Sequence, residues 1–490
     1  MTATSGMRTI QTRVPSRMDR LPWARFHWLV VTGLGTAWIL DGLEVTMVGS
    51  VADRLTEPGS GVELDSGQIG MAAAIYVLGS CLGALVFGQL TDKFGRKKLF
   101  LTTLLVYLGA TAATAFTFNA WYFYLCRFLT GVGIGGEYAA INSAIDELIP
   151  ARRRGQTNLA INAGYWAGAA GGALMAVLLL RTDILPIDMG WRVAFLIGVV
   201  LGLAVLLVRR YVPESPRWLL VHGREQEAEQ LVGDLETKIS TEKGAELPEA
   251  EGSLTIHQRA TIRISEIARV AFREYPRRSM LCLALFVGQA FLYNAVTFNQ
   301  GTLLGKFFGV DSGDVPYFVA VYALASLAGP LLFGRMFDVV GRKRMIAGTY
   351  LASAVLMTLT AALFASGTLS AWGFTGMIVA TFLFATAGAS SAYLTASEIF
   401  PLETRALAIA FFYAIGTAAG GIVGPLLFGE LISTGSMELT AIGFYIGAAA
   451  MALGGVAEIL FGVNAEQKSL EDIAAPLTAR KNPEDKPSSA

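Results

Sequence analysis

The sequence predicts an all-α membrane protein: twelve transmembrane helices in two pseudo-symmetric six-helix bundles. Three observations predict it. Apolar runs of the ~20 residues that cross a bilayer recur twelve times along the chain. Two copies of one loop phrase stand half a chain apart: Gly88-Gln-Leu-Thr-Asp92-Lys-Phe-Gly95-Arg96-Lys97-Lys98 returns as Gly334-Arg-Met-Phe-Asp338-Val-Val-Gly341-Arg342-Lys343-Arg344. Lysine and arginine gather in alternate loops, as topology-setting charges do.

The runs lie near 27–50, 67–91, 97–117, 121–147, 155–181, 190–211, 278–304, 314–338, 343–366, 371–398, 404–431 and 439–463. Of the 490 residues 53% are hydrophobic and 16% charged. Soluble chains are about a quarter charged, so lipid solvates much of this one. The basic loops carry Lys93, Arg96, Lys97 and Lys98, then Arg152, Arg153 and Arg154, then Arg342, Lys343, Arg344 and Arg405; the N-terminal segment carries five arginines between Arg8 and Arg25. The intervening loops are poor in base, which predicts cytoplasmic termini. A multi-pass protein of the plasma membrane follows, the bacterial inner membrane being the expected site.

The runs divide six and six. Residues 1–26 read as a cytoplasmic N-terminal segment, 27–211 as the first bundle, 212–276 as a charged linker with short helices, 277–463 as the second bundle, and 464–490 as a largely disordered cytoplasmic tail. In the linker, Arg224–Lys238 and Gln258–Arg273 alternate charge and apolar residues at helical spacing. The repeat also includes Glu147-Leu-Ile-Pro150-Ala-Arg-Arg-Arg154 and Glu398-Ile-Phe-Pro401-Leu-Glu-Thr-Arg405. The offsets are 246 (334 − 88) and 251 (398 − 147), so the copies keep register. Parallel halves about a membrane-normal axis are one way to build a carrier, with its solute held near the midplane. Cys81, Cys126 and Cys282 lie inside apolar runs and offer no disulfide framework or metal pair, and His27, His222 and His257 form no ligand set. No cofactor loop or nucleophile–base constellation suggests an enzyme.

The ordered motifs resemble the major facilitator superfamily, and within it the sugar-porter-like branch, over about residues 21–475. The two loop phrases carry the resemblance, with Arg127-Phe-Leu-Thr-Gly131-Val-Gly133-Ile-Gly135-Gly136, Glu147…Arg154, Pro213-Glu214-Ser215-Pro216-Arg217-Trp218-Leu219 and Glu398…Arg405. The resemblance implies two six-helix halves, alternating access, and proton-coupled symport or facilitated diffusion.

Three sets of residues are candidates for that work. The first is a cytoplasmic gate: Asp92, Arg96, Glu147, Arg154, Glu214, Arg217, Asp338, Arg342, Glu398 and Arg405 all fall at predicted cytoplasmic helix ends or loops. Opposite charges can pair there while the inner side is shut. As exposed pairs they are expected to contribute ~0–1 kcal/mol each.

The second set is intramembrane. Asp41 and Glu44 lie mid-run three residues apart, hence on one helix face, and Arg127 lies in the first turns of the fourth helix. A bare charge at mid-bilayer costs ~2.5–3.5 kcal/mol on the lenient scale, so these groups are expected to face a cavity or a partner. Leu43-Glu44-Val-Thr resembles the place where sugar/proton symporters hold a lone Asp; Asp41-Gly42-Leu43-Glu44 also resembles the Asp-Gly-x-Asp of aromatic-acid/proton symporters. The resemblance implies that Glu44, with Asp41, carries the proton under the influence of Arg127.

The third set would hold the solute: Asn162, Gln289, Asn294, Asn299, Tyr393 and Glu137, with Asn158 and Thr395 nearby. Unpaired amides in lipid are costly and should point inward. By resemblance, Asn162 falls where sugar porters carry a sugar-binding Gln, and Gln289 and Asn294 match their helix-seven pair. The chain departs from that pattern at Gly288, Phe298-Asn299, Tyr393 and Thr417, which predicts a pocket that has lost its aromatic plates.

The reading is a secondary active transporter, importing a small polar, sugar-like metabolite with protons. The alternative on the same fold is a symporter of an organic or aromatic carboxylate held by Arg127; a non-transporting nutrient sensor is a further class. Expected partners are a small-molecule solute, protons and the lipid bilayer, without nucleic acid, metal or cofactor, in a monomer.

Overall fold

A computed structural model describes residues 9–474, apart from positions 57, 65, 182–183, 210–211, 251, 258–268, 311–313, 402–404 and 469. Twelve long helices form the body: α1 Arg25–Thr56, α2 Ser66–Phe94, α3 Arg96–Thr114, α4 Ala120–Leu148, α5 Arg154–Leu179, α6 Gly190–Arg209, α7 Pro276–Phe308, α8 Val315–Val339, α9 Arg342–Ala365, α10 Ala371–Ile399, α11 Arg405–Ser433 and α12 Met437–Phe461. Ten are long and apolar enough to span a membrane. The other two are α3, which opens on Arg96, Lys97 and Lys98, and α4, which carries Arg127, Glu137 and Glu147.

Local chemistry sets the helix ends. Gly95 and Gly341 sit at φ +95° and +111°, a region where a side chain is strained, and each breaks one helix from the next across the repeated loop. Asn119, Ser370 and Ser436 accept from the backbone N–H three residues on and so cap α4, α10 and α12.

The helices bury their polar stripes inward and leave apolar faces outward. Val200, Leu332, Leu453 and Leu460 are among the most exposed side chains, the pattern expected where lipid is the solvent. Trp28, Trp121 and Trp372 stand exposed near helix ends, where tryptophans of membrane proteins are enriched. Within the first half α1 packs on α5 and α2 on α4; within the second, α7 packs on α11 and α9 on α12. The halves meet through α2 against α11 and α5 against α8, pairs that the internal repeat relates.

The N-terminal segment is structured. Thr9–Thr12 pairs antiparallel with Leu254–His257 of the linker, a two-stranded ribbon among described residues that are otherwise mostly helical. A short helix, Val14–Asp19, follows it. The linker contains the helices Pro216–Val221 and Glu225–Lys243; the second extends the segment expected at Arg224–Lys238. Most of the expected Gln258–Arg273 segment lies outside the described residues.

Arg17 and Arg20 both pair with Glu236 on that linker helix, and Arg17 also reaches Glu229. Partial burial pushes the Glu236 carboxyl up, but hydrogen bonds from Arg17 and Arg20 outweigh it and hold the group below its ordinary 4.5. A depressed folded pKa means this clasp is fully present above the ordinary Glu value and is lost as pH falls through the lower folded one. Hydrogen exchange of residues 9–20, corrected for intrinsic rate, should therefore be flat from neutrality down to the ordinary Glu value and accelerate below it. An acceleration that begins near neutrality would show that another group controls the contact.

Candidate functional site

A cavity of about 130 Å³ lies at the centre, between α1, α2 and α4–α5 of one half and α7, α10 and α11 of the other. Four of the six predicted solute-binding residues line it: Asn162, Gln289, Asn294 and Tyr393. The Asn162 amide donates to Asn158 Oδ1 at 2.9 Å, one helical turn away, and the Asn294 amide donates to Ala290 O at 2.7 Å. Asn299 lies outside the lining and donates to Ala295 O on its own helix. Glu137 is fully buried outside the lining too, while its neighbour Tyr138 forms part of the wall.

The expected loss of aromatic plates is corrected by the structure. Other positions supply them, on α1, α4 and α5 as well as on α7, α10 and α11. Trp38 of α1 stacks on Tyr138 of α4 with centroids 4.5 Å apart and planes 10° apart, and Tyr393 and Tyr413 meet Tyr138 edge-on. Trp166 and Tyr293 contact each other at 5.6 Å on another part of the wall. Two hydroxyl pairs cross between the halves here: Tyr165 Oη to Tyr293 Oη at 2.5 Å, and Ser80 Oγ to Tyr413 Oη at 2.8 Å. No Asp, Glu, Lys, Arg or His stands among the described lining residues.

The intramembrane charges lie behind this wall and away from lipid. Arg127 Nη2 donates to Glu44 Oε1 at 2.7 Å, and both side chains are about 3% exposed. Thr111 Oγ1 donates to Glu44 Oε2 at 2.9 Å; Arg127 also reaches Thr130 Oγ1 at 3.2 Å and the faces of Phe123 and Phe195. Asp41 is fully buried one turn before Glu44, within electrostatic range of Tyr76, Tyr107 and Tyr138. The acids therefore stand between a guanidinium and a phenol-lined cavity. Arg127 is engaged with Glu44 and does not line the cavity, so it is not placed to hold a cargo carboxylate there.

At the end carrying the basic loops, the repeated charges form two related networks. In the first half, Arg96 Nη2 meets Glu147 Oε1 at 3.0 Å, and Arg217 Nη1 donates to Glu147 O at 3.0 Å. Glu214 accepts the backbone N–H of Arg96 at 2.9 Å and of Lys97 at 3.3 Å, an anion on the N-terminus of α3. In the second half, Arg342 binds Glu398 through two nitrogens, each at 3.0 Å, and Asp338 Oδ1 at 2.7 Å. The group that meets the N-terminus of α9 is Glu466, 3.4 Å from Arg342 N. Sequence reading missed Glu466, although its offset from Glu214 is 252 (466 − 214), in step with the repeat.

One contact joins the networks across the halves. Asp338 accepts Gly155 N at 3.2 Å and Gln156 N at 2.7 Å, so an acid of α8 sits on the N-terminus of α5. A Cβ at Gly155 would lie 2.4 Å from Arg342 Nη1 and 2.6 Å from Asp338 Oδ1, so a side chain there would have to displace this ion pair. Arg154 and Arg405 are fully buried at the starts of α5 and α11, and the Asp92 side chain lies outside the described residues. The expectation of solvated pairs is thereby corrected. These ions are buried, where losing one partner costs ~3–5 kcal/mol rather than a few tenths.

The family model described as "Sugar (and other) transporter" matches residues 35–476. The chain is 28% identical over 422 residues to the niacin transporter NiaP of Acinetobacter baylyi, covering 84% of this chain and 89% of the relative. It is 25% identical to the 4-hydroxybenzoate transporter PcaK of the same organism (84% and 86% covered) and 26% identical to a gallate transporter of Pseudomonas putida (89% and 93%). Its fold matches the proton:xylose symporter XylE with a TM-score of 0.75 at 18% identity, over 92% of this chain and 98% of that one. With its helices, repeated loops and matched family model, the chain belongs to the sugar (and other) transporter family of the major facilitator superfamily: it is a multi-pass membrane transporter and not an enzyme.

Proposed function

We propose that this transporter moves a single-ring aromatic or heteroaromatic carboxylate together with protons, by alternating access, across a bacterial plasma membrane with its basic loops and both termini in the cytoplasm. The observation that carries the reading is the cavity wall: aromatic faces from α1, α4, α5 and α7 around a few neutral amides. Its 130 Å³ is close to the ~150 Å³ of an engineered apolar cavity that takes up benzene. The relatives named for niacin, 4-hydroxybenzoate and gallate are all named for single rings bearing a carboxylate. A sugar-like cargo, the first reading of the sequence, has less support than this alternative.

An anion in a wall without charge is poorly compensated. Entry with a proton makes the loaded site neutral, and Glu44 with Asp41 is the nearby place to hold one, its affinity set by the approach of Arg127. Gln289, Asn294 and Asn162 then orient the carboxylate and ring substituents, and Tyr393 closes the wall. The paired charges at the basic end form the cytoplasmic gate of a carrier that works as a monomer. One charge crossing 100 mV contributes ~2.3 kcal/mol, enough for roughly fifty-fold accumulation.

Uptake into proteoliposomes tests this. With an inward proton gradient, at least one of labelled nicotinate, 4-hydroxybenzoate and gallate should accumulate, and a protonophore should abolish the accumulation. Trp38→Ala should weaken that solute by about tenfold, the loss of one stacked face. Accumulation of xylose or glucose with none of the three acids would overturn the proposal.

A further inference from the structure

The segment before α1 reaches into the gate. Its short helix is seated by Val14 and Met18, with Leu21 just beyond, all essentially buried. One side is tied to the linker: Arg17 and Arg20 to Glu236, Arg20 to Pro248 O, and the Thr9–Thr12 strand to Leu254–His257. From the same helix Asp19 enters the first-half network. Its Oδ1 lies 3.2 Å from Arg154 Nη2 and accepts Ala151 N at 3.3 Å; its Oδ2 lies 3.2 Å from Arg217 Nη2. Arg152 adds a bond to Leu21 O at 2.9 Å.

This placement has a consequence for closure. Arg154 and Arg217 are fully buried guanidiniums that share one carboxylate, so removing it withdraws the anion both of them contact. Arg154 is the first residue of α5, and the next two N–H groups are those that Asp338 of the other half accepts. Asp19 thus stands directly behind a contact that joins the two halves at the basic end.

We propose that Asp19 is a positioning residue of the gate: shared between Arg154 and Arg217, and held by the clasp to the linker helix, it seats the start of α5 against Asp338 and sets how often the basic end opens. The segment preceding the first membrane helix is then a brace on alternating access. This goes beyond the choice of cargo, and its test needs no cargo.

The test reads access to the cavity. The buried Cys81, Cys126 and Cys282 are replaced by serine, and Ala389→Cys is introduced in the cavity lining. Its reaction with a membrane-impermeant maleimide is timed separately from the basic-loop face and from the opposite face, in inside-out and right-side-out vesicles. Asp19→Asn should raise the rate from the basic-loop face about tenfold, the scale of one charged hydrogen bond, and lower it from the other face. Asp19→Glu should return both rates toward the parent. Arg17→Ala/Arg20→Ala, which releases the clasp without touching the gate, should shift the rates in the same direction by less. Unchanged rates in Asp19→Asn, or equal rises from both faces, would overturn the proposal. If Asp19→Asn is not recovered folded, the double variant alone decides, and parental rates in it are the overturning result.

Discussion

Glu44→Gln should abolish uphill accumulation of the cargo and lower the melting temperature at the same time. Both effects come from one geometry. Glu44 shares a 2.7 Å ion pair with Arg127, and both are sealed from solvent. Glutamine preserves the shape and the bond from Thr111, but it carries no charge and no exchangeable acid proton. Arg127 would keep Thr130 and the faces of Phe123 and Phe195 while losing its counter-ion. Breaking a buried pair by removing one partner costs ~3–5 kcal/mol. A static pair and a proton carrier differ in the second step. Glu44→Gln/Arg127→Gln should regain much of the thermal stability, because the guanidinium is removed together with its partner, yet still fail to accumulate solute against a pH gradient. Accumulation at the parental ratio in Glu44→Gln would remove Glu44 from the coupling role.

A second large effect is expected where two helices touch through their backbones. A Cβ on Gly42 would lie 1.8 Å from Tyr165 O, and one on Gly168 would lie 1.8 Å from Ile39 O. The contact between α1 and α5 therefore exists because neither helix has a side chain there, as small-residue packing in membranes requires. Gly42→Ala has to move backbone against backbone, so its cost should reach the upper end of the ~1–3 kcal/mol of overpacked cores. Monodispersity and thermal unfolding of the purified protein measure it. Gly348→Ala is the control: nothing lies within 4 Å of its would-be Cβ, and its stability should be unchanged or slightly raised, alanine being the better helix former. Equal stability of the two variants would refute the close-contact argument.

The membrane helices and the pairing of the repeated charges were legible because they rest on one-dimensional signals: run length, alternating basic loops, and a phrase that returns at fixed offset. Arg127 with Glu44 was legible for another reason, since a charge in an apolar run must find a partner. The aromatic wall was not. In runs apolar on every side, periodicity carries little information about facing. Trp38 and Trp166 look in sequence like Trp121 and Trp372, yet the first two line the cavity and the other two stand exposed. Proximity offered a faint clue, for Trp38 stands one turn before Asp41, and Tyr138 follows Glu137. Burial of the gate ions was hidden as well. Arg154 and Arg217 sit in segments that read as solvated, and only the docking of a remote acid, Asp19, shows why they are enclosed. Glu466 was legible in principle, by extending the repeat past the last membrane helix.

The two hydroxyl bridges across the cavity, Tyr165 with Tyr293 and Ser80 with Tyr413, bear on how the halves could be uncoupled. They join the two halves beside the central cavity, and the carboxylate oxygens of the proposed cargo are chemically suited to take over such hydroxyl bonds. Under the proposed function, seating of a cargo and loosening of the two halves would then be one event at one place.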